Sequence, residues 1–492
     1  MKRIPPIQIE WKPDKNSATP VYQQIVQFVC EKVAKGEWPI GTRLPSQRTL
    51  AAFFEVNRST VVTALEELTS YGIIEGCHGA GTQIISNTWS LLLPPSPGTD
   101  WSNYVTSGFF KANNSTIQAI NHLEFVPGMM RLGTGELDPR LFPKKMWKCV
   151  LENLSQNITS LGYLEPLGLP ELREAISHHM ETFGIYAPPS CILITSGSLQ
   201  ALQLISVCLL KSGSTIYSEA PTYLKSLQVF QSAGMNLSGI PMDDKGIQFR
   251  NLQYSLKNET QQNSSILYTI PTNHNPTGIT MSEARRKELM NFCTTNRLPI
   301  IEDGAYQELC YDANQPTPLK AMDETGMVIY LGSASKSLAP GLRIGWIIAA
   351  ESIVQRLGDV KMQMDYGTSS ISQWAFAEFL SSGMYQHYLT NLKIELKHRR
   401  DHALSVLSRY YKDFAYWNVP NGGFYIWLTI KGNINMELLF ENAVKNKILL
   451  NPGAVYDFKH NNSLRLSYAY TSCEEFEHAA ITLAEIIREQ LE

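Results

Sequence analysis

The chain has 492 residues, 43% hydrophobic and 18% charged, with a formal net charge of −3; one core does not serve a chain this long, so two or three domains are expected. The near-neutral balance excludes a partner recruited by a bulk basic or acidic field. The eight cysteines (30, 77, 149, 191, 208, 293, 310 and 473) are scattered without a CxxC pair, and "MKRIPPIQIE" lacks the apolar run of a signal peptide, while no stretch approaches the ~20 apolar residues of a membrane span; this argues against a zinc site and a disulfide framework and predicts a cytoplasmic protein.

Tyr22, Ile25, Val29 and Val33 recur at helical spacing and predict a first helix, closed by Gly36. Ser46, after Pro45, reads as the N-cap of a second helix that carries Leu50 and Phe54 inward. Asn57 opens a third, which buries Val61, Leu65 and Leu68. "YGIIEGCHGAGTQI" then reads as two short strands around a glycine-bearing turn. Three helices and a hairpin make a winged helix-turn-helix over residues 14–84. Up to Ile84 nine Lys/Arg face eight Asp/Glu, so DNA binding here would rest on placed side chains and not on a basic field. The N-terminus of the third helix offers Asn57, Arg58, Ser59 and Thr60 to a major groove: Arg58 suits a guanine edge, and Ser59 and Thr60 suit phosphates. Arg43 and Arg48 flank the second helix, where a phosphate backbone would pass, unless they merely pair with nearby glutamates. His78 and Gly79 sit at the tip of the wing. Residues 85–126, with "LLLPPSPGTDW", read as an extended linker.

From residue 127 onward, strand-like runs ("CILIT", "STIYSEA", "SSILYTI", "LPIIEDG", "GMVIYLG") alternate with helix-length segments. This predicts a mainly parallel sheet with helices on both faces. Ligands of such sheets bind at strand ends, and here polar clusters stand at those ends. In "TSGSLQAL" the amides of Ser198 and Leu199 open a helix toward an anion. "GSASKSLAPGLR" adds Ser333, Ser335 and Arg343 as further phosphate partners. An amine beside a phosphate site, Lys336, can form a Schiff base with an aldehyde, and pyridoxal 5′-phosphate is the phosphorylated aldehyde that this chemistry uses. Asp303 in "EDGAYQE" fits as the carboxylate that keeps a pyridine nitrogen protonated. Asn275 in "PTNHNPTG" and Tyr306 can hydrogen-bond the ring's phenolic oxygen. Taken singly each has a plainer reading: a surface lysine, a helix cap, a turn residue. The weight lies in the set.

That set, over most of residues 130–492, resembles the fold-type I aminotransferases. The resemblance implies that Lys336 is the catalytic, cofactor-linking lysine, with a small C-terminal α+β subdomain over about 385–492. It implies that Tyr223 in "EAPTY" stacks on the cofactor ring. Tyr163 in "GYLEPLGLPELREAI" would reach the neighbouring subunit's phosphate, and Arg465 in "NNSLRLSYAY" would hold a substrate carboxylate. Leu199 departs from the family, where many relatives carry a polar residue. "PIGTRLPSQRTLAAFFEVNRSTVVTALEELTSYGIIEGCHGAGTQI" resembles the GntR family of bacterial regulators, with Val62 where some relatives carry another arginine. A GntR-type winged helix, a linker and an aminotransferase-like domain over 127–492 together resemble the MocR-type regulators. That resemblance implies a homodimer with head-to-tail pairing of its large domains, and transcriptional control of amino-acid, amine or vitamin B6 metabolism. In the reading it favours, an amino compound attacks the Lys336 aldimine and alters operator binding. The alternative is an aminotransferase with full turnover and an appended DNA-binding domain.

Overall fold

Ser46 caps its helix as its place after Pro45 predicts, its hydroxyl accepting the Thr49 N–H at 3.2 Å. A computed structural model describes residues 9, 11–17, 19–34, 37–77, 81–86, 115–158, 160–257, 265–312 and 315–491, without the side chains of residues 34, 77, 115, 225, 226, 251, 254, 255 and 257. The chain divides into two units, up to residue 111 and from residue 112. Gly36, His78, Gly79 and residues 87–114 of the expected linker lie outside the described residues.

The first unit runs α1 (Val21–Ala34), β1 (Arg43–Leu44), α2 (Gln47–Phe54), α3 (Arg58–Ser70), β2 (Ile74–Cys77) and β3 (Gly81–Ile84). Ile25, Val29, Leu50, Phe54, Val61 and Leu68 share its core. Asn57 stands at the head of α3, but its side chain makes no capping bond. The wing has three strands where the sequence shows two, because Arg43–Leu44 adds to the edge of β3 in the order β1-β3-β2. Trp11 stacks on Phe28 with ring centres 4.5 Å apart, so the packed unit starts ahead of the expected residue 14.

In the second unit a helix, α4 (Ser115–Leu123), occupies part of the stretch read as linker. Its Ile117 and Ile120 are buried in a cluster with Leu449, Val455 and Tyr456. After β4 (Met130–Arg131) comes α5 (Pro170–Glu181). The large sheet holds β5 (Ile192–Thr195), β6 (Thr215–Ala220), β7 (Asn236–Asp243), β8 (Gly246–Ile247), β9 (Ser265–Thr269), β10 (Ile300–Asp303), β11 (Val328–Ser333) and β12 (Gly345–Ile348), in the order β5-β12-β11-β10-β9-β6-β7-β8. β6, β7, β9, β10 and β11 are parallel to one another, and β12 pairs antiparallel with both β11 and β5. β5 therefore runs with the parallel set. β5, β10 and β11 are buried on both faces, which is why they read as unbroken apolar runs. β12 escapes the sequence reading because "GWII" is too short to show a period. α6 (Ser198–Leu209) follows β5.

A second lobe holds β13 (Ala415–Trp417), β14 (Tyr425–Ile430), β16 (Asn451–Pro452) and β17 (Ser463–Ser467) in the order β13-β14-β17-β16. It is not simply residues 385–492. β15 (Ile448–Leu449) pairs with β4, and Leu132 lies in its core. The long helix α7 (Met384–Tyr410) gives Tyr385, Leu389 and Leu396 to the large-lobe core and Ala403, Val406 and Leu407 to the small one. α8 (Cys473–Leu491) completes the small lobe. Among the described residues no helix is long and apolar enough to cross a membrane, and no group of three or more His, Cys, Asp or Glu could hold a metal ion.

Candidate functional site

β5, β6, β9, β10 and β11 end on one edge of the large sheet, and the predicted residues collect there. β11 ends at Ser333, whose hydroxyl accepts the Ser335 N–H at 3.1 Å and donates to the Ile344 carbonyl at 3.4 Å. This cap starts a one-turn helix, Ala334–Ser337, that carries Lys336. The Lys336 Nζ donates to the Gly135 carbonyl at 2.7 Å. The sequence places Ser333 beside a phosphate; the structure commits its hydroxyl to the backbone around Lys336. Ser335 is half-buried next to the lysine.

Across β12 lies the cradle. Gly197 opens α6 with φ +83°, and no side chain caps that helix, so the Ser198 and Leu199 amides start α6 without an internal partner. A Cβ at Gly197 would lie 2.7 Å from Arg343 Nη2; only glycine lets the guanidinium approach. Arg343 donates to the Ser196 carbonyl at 2.8 Å. The Leu199 side chain is 48% exposed, so that residue can offer only its backbone.

Asp303 ends β10 buried. Its carboxylate accepts the Tyr268 hydroxyl at 2.7 Å and the Ala305 N–H at 3.1 Å, and no ion pair holds it among the described residues. Burial pushes its carboxyl above the ordinary range, partly offset by these donors and by the nearby Lys336 charge. The turn after it buries Tyr306, whose hydroxyl lies 2.7 Å from that of Tyr425. Arg465, 4% exposed on β17, donates from Nη1 to Asn275 Oδ1 at 2.9 Å and from Nη2 to the Gly133 carbonyl at 2.5 Å. With its Oδ1 engaged, Asn275 has its amide NH2 left to donate. The guanidinium carbon of Arg465 lies 4.3 and 4.6 Å from the ring centres of Tyr425 and Tyr456. Its Nε is buried with no partner.

Tyr223 is half-buried directly before the helix Leu224–Ser232, 6.4 Å from the Tyr456 ring. Tyr163 is 84% exposed, its ring 5.1 Å from that of Tyr366. Three contributors escape the sequence reading. Tyr268 and Tyr425 look like core residues of their strands. Gly135 carries no motif, yet a Cβ there would lie 2.6 Å from the Tyr425 hydroxyl and 3.6 Å from Arg465 Nη2.

These features fit pyridoxal phosphate. A buried carboxylate lacks a cation, a glycine-dependent row of amides faces Arg343, an amine stands nearby, and a buried guanidinium keeps an unused donor. Asp303 would hold the ring nitrogen, Ser198, Leu199, Ser335 and Arg343 the phosphate, and Tyr306 and Asn275 the phenolic oxygen.

In the first unit Arg43, Arg48, Asn57, Arg58 and Ser59 are exposed and Thr60 half-buried. Neither Arg43 nor Arg48 makes an ion pair among the described residues; Glu55 pairs with Lys12 and Glu37 with Lys32. Arg58 donates from Nε and Nη2 to Gln47 Oε1 at 3.3 and 3.1 Å, a partner not visible in the sequence.

A family model described as "Aminotransferase class I and II" matches residues 127–483, and one described as "Bacterial regulatory proteins, gntR family" matches residues 21–84. The chain is 48% identical over 479 residues to the uncharacterized HTH-type transcriptional regulator YisV of Bacillus subtilis (strain 168), covering 97% of this chain and 98% of that one. It is 34% identical over 449 residues to the HTH-type transcriptional regulator NorG of Staphylococcus aureus (strain USA300), covering 89% and 97%. Among solved structures, the Pyrococcus horikoshii kynurenine aminotransferase superposes with a TM-score of 0.76 at 31% identity, covering 81% of this chain and all of that one. The multiple substrate aminotransferase of Thermococcus profundus gives 0.74 at 30%, covering 80% and 99%.

Proposed function

The chain belongs to the aminotransferase class I and II family and carries a GntR-family winged helix at its N-terminal end, the build of MocR-type regulators; from that premise we propose that it is a transcription regulator that senses an amino compound through pyridoxal phosphate. The observation that carries this reading is one chain joining two sites: an amine, Lys336, among the groups that suit the cofactor, and an α3 that exposes Arg58 with no ion pair among the described residues. The bound cofactor supplies an aldehyde that links reversibly to a primary amine, and a ring that draws electron density from it.

The residues divide the remaining work. Asp303, short of a cation, favours a proton on the ring nitrogen. Lys336 supplies the chain's own amine, with which an effector amine would compete for the cofactor's aldehyde. Arg465, with Nε unused and its carbon against two tyrosine rings, selects effectors that carry a carboxylate. Displaced from its link, Lys336 can take up or return a proton at Nζ, held near by the Gly135 carbonyl. Binding is thus turned into a changed position for one side chain, and differential stabilisation of two forms of the large unit alters operator affinity. Tyr163, exposed at the surface, suits a homodimer in which it serves the neighbouring subunit's phosphate.

The test is to reconstitute the purified chain with pyridoxal phosphate and titrate it with single amino acids, following visible absorbance together with retardation of its own promoter fragment. A spectral change that shifts retardation supports the sensor. Sustained keto-acid release with a second substrate and no change in DNA binding would replace it with an aminotransferase.

A further inference from the structure

Next to the lysine turn, four side chains from four elements meet. Ser337 ends the one-turn helix, Tyr385 lies in the first turn of α7, Glu308 lies in the short turn Gln307–Leu309 directly after Tyr306, and His179 lies on α5. Ser337 and Tyr385 are each 1% exposed and Glu308 8%. The Tyr385 hydroxyl lies 2.6 Å from Ser337 Oγ and also bonds Glu308 Oε2, while His179 Nε2 bonds Glu308 Oε1.

The hydrogens fix the direction of this chain. Glu308 is an acceptor only when ionised, and its carboxyl is held below the ordinary range: burial opposes this, and the His179 charge and the Tyr385 and Ser337 hydroxyls more than offset it. Tyr385 has one hydroxyl hydrogen, which goes to the carboxylate. Ser337, within reach of both, then donates to the tyrosine oxygen or directly to Glu308. Each donor depends on the next, and removing one leaves a buried polar group unsatisfied. Tyr330 and Asp303 also approach this region, from β11 and β10.

We propose that His179, Glu308 and Tyr385 are positioning residues for Lys336, forming a buried brace that fixes the lysine turn against the turn carrying Tyr306. The brace joins the two segments that would meet neighbouring positions of one ring, the aldehyde and the phenolic oxygen, and it anchors both to α7, the helix shared by the two lobes. This inference rests on the reading of Lys336 as the cofactor-linking amine.

The experiment uses the full chain reconstituted with pyridoxal phosphate and follows its visible absorbance as a function of pH, for wild type, Tyr385→Phe, Ser337→Ala and Glu308→Gln. The brace predicts that the variants keep the visible band but move its pH midpoint by about 0.5 unit or more, roughly a threefold change in proton affinity. It also predicts that the double variant Tyr385→Phe/Ser337→Ala shifts by an amount different from the sum of the two single shifts, because the two hydroxyls share one network. A purely structural role would lower thermal stability and leave the midpoint in place. Ser337→Ala removes one hydroxyl and leaves the ion pair intact, so it decides the question even if Glu308→Gln does not fold. Variants whose midpoints match the wild type overturn the brace alone. A wild-type chain that develops no visible band, like Lys336→Ala, overturns the cofactor reading and the brace with it.

Discussion

Asp303 is buried with two hydrogen-bond donors and no ion-pair partner among the described residues, so its charge is unfavourable until a cation arrives. Its raised carboxyl pKa fixes the sign of a pH effect. The folded chain keeps that proton at a pH where the unfolded chain has lost it, so without cofactor this group's contribution to stability falls as pH rises from the ordinary carboxylate range through the raised folded value. Asp303→Asn should therefore stabilise the cofactor-free fold at pH 8 by on the order of 1 kcal/mol, raising its melting temperature, and make little difference near pH 3. The same change should abolish the visible band on reconstitution. Thermal melts at the two pH values check the first half; a wild-type chain more stable at pH 8 than the variant would count against the assignment. Arg465 is a matching case. Lysine keeps the charge but not the planar fork, so Arg465→Lys should weaken carboxylate-bearing amines about tenfold or more, a loss of ~1.4 kcal/mol, and leave plain amines nearly unchanged, as read by spectral titration.

At the scale of elements, the winged helix shows what one sequence reveals and what it hides. Ser46 and the spacing of Leu50, Phe54, Val61 and Leu68 are local signals, and α2 and α3 follow from them. The pairing of Gln47 with Arg58 depends on how α2 crosses α3, which no local signal encodes. Gln47 takes the Nε–Nη2 edge of the guanidinium, which leaves the Nη1 end to face a base. Arg58→Ala should abolish retardation of the promoter fragment while cofactor colour persists, and Ser46→Ala should cost the domain about 1 kcal/mol through its lost cap. Retained operator binding by Arg58→Ala would remove α3 from the reading role. The same division runs through the large unit. The lysine, aspartate and arginine stand in motifs at strand ends and were legible. Gly135, Tyr268 and Tyr425 act through topology, from strands or loops remote in sequence, and read only as core or turn. β12 was missed for a related reason: Arg343, at φ +54°, turns the chain back between β5 and β11, and nothing in four apolar residues announces the reversal.

For the whole molecule, a regulator built this way has to obey a reciprocity. If an amino compound changes operator affinity by some factor, the operator must change the apparent affinity of that compound by the same factor, because both are legs of one thermodynamic cycle. The prediction is quantitative without knowledge of the route between the two units. An effector that weakens retardation roughly tenfold should itself bind roughly tenfold more weakly when the chain is saturated with its promoter fragment, within the 5- to 150-fold range usual for such coupling. The measurement is a visible-absorbance titration of the reconstituted chain with and without saturating DNA, set beside a retardation titration with and without saturating effector. Lys336→Ala should bind DNA with an affinity the effector no longer changes, since the side chain whose displacement carries the signal is gone. Arg58→Ala should give the same spectral titration with and without DNA. Unequal factors in the two directions for the wild type would mean that the spectral change and the DNA response report different events, and a spectral titration unmoved by DNA, beside retardation that the effector does move, would place the sensing step outside the Lys336 site.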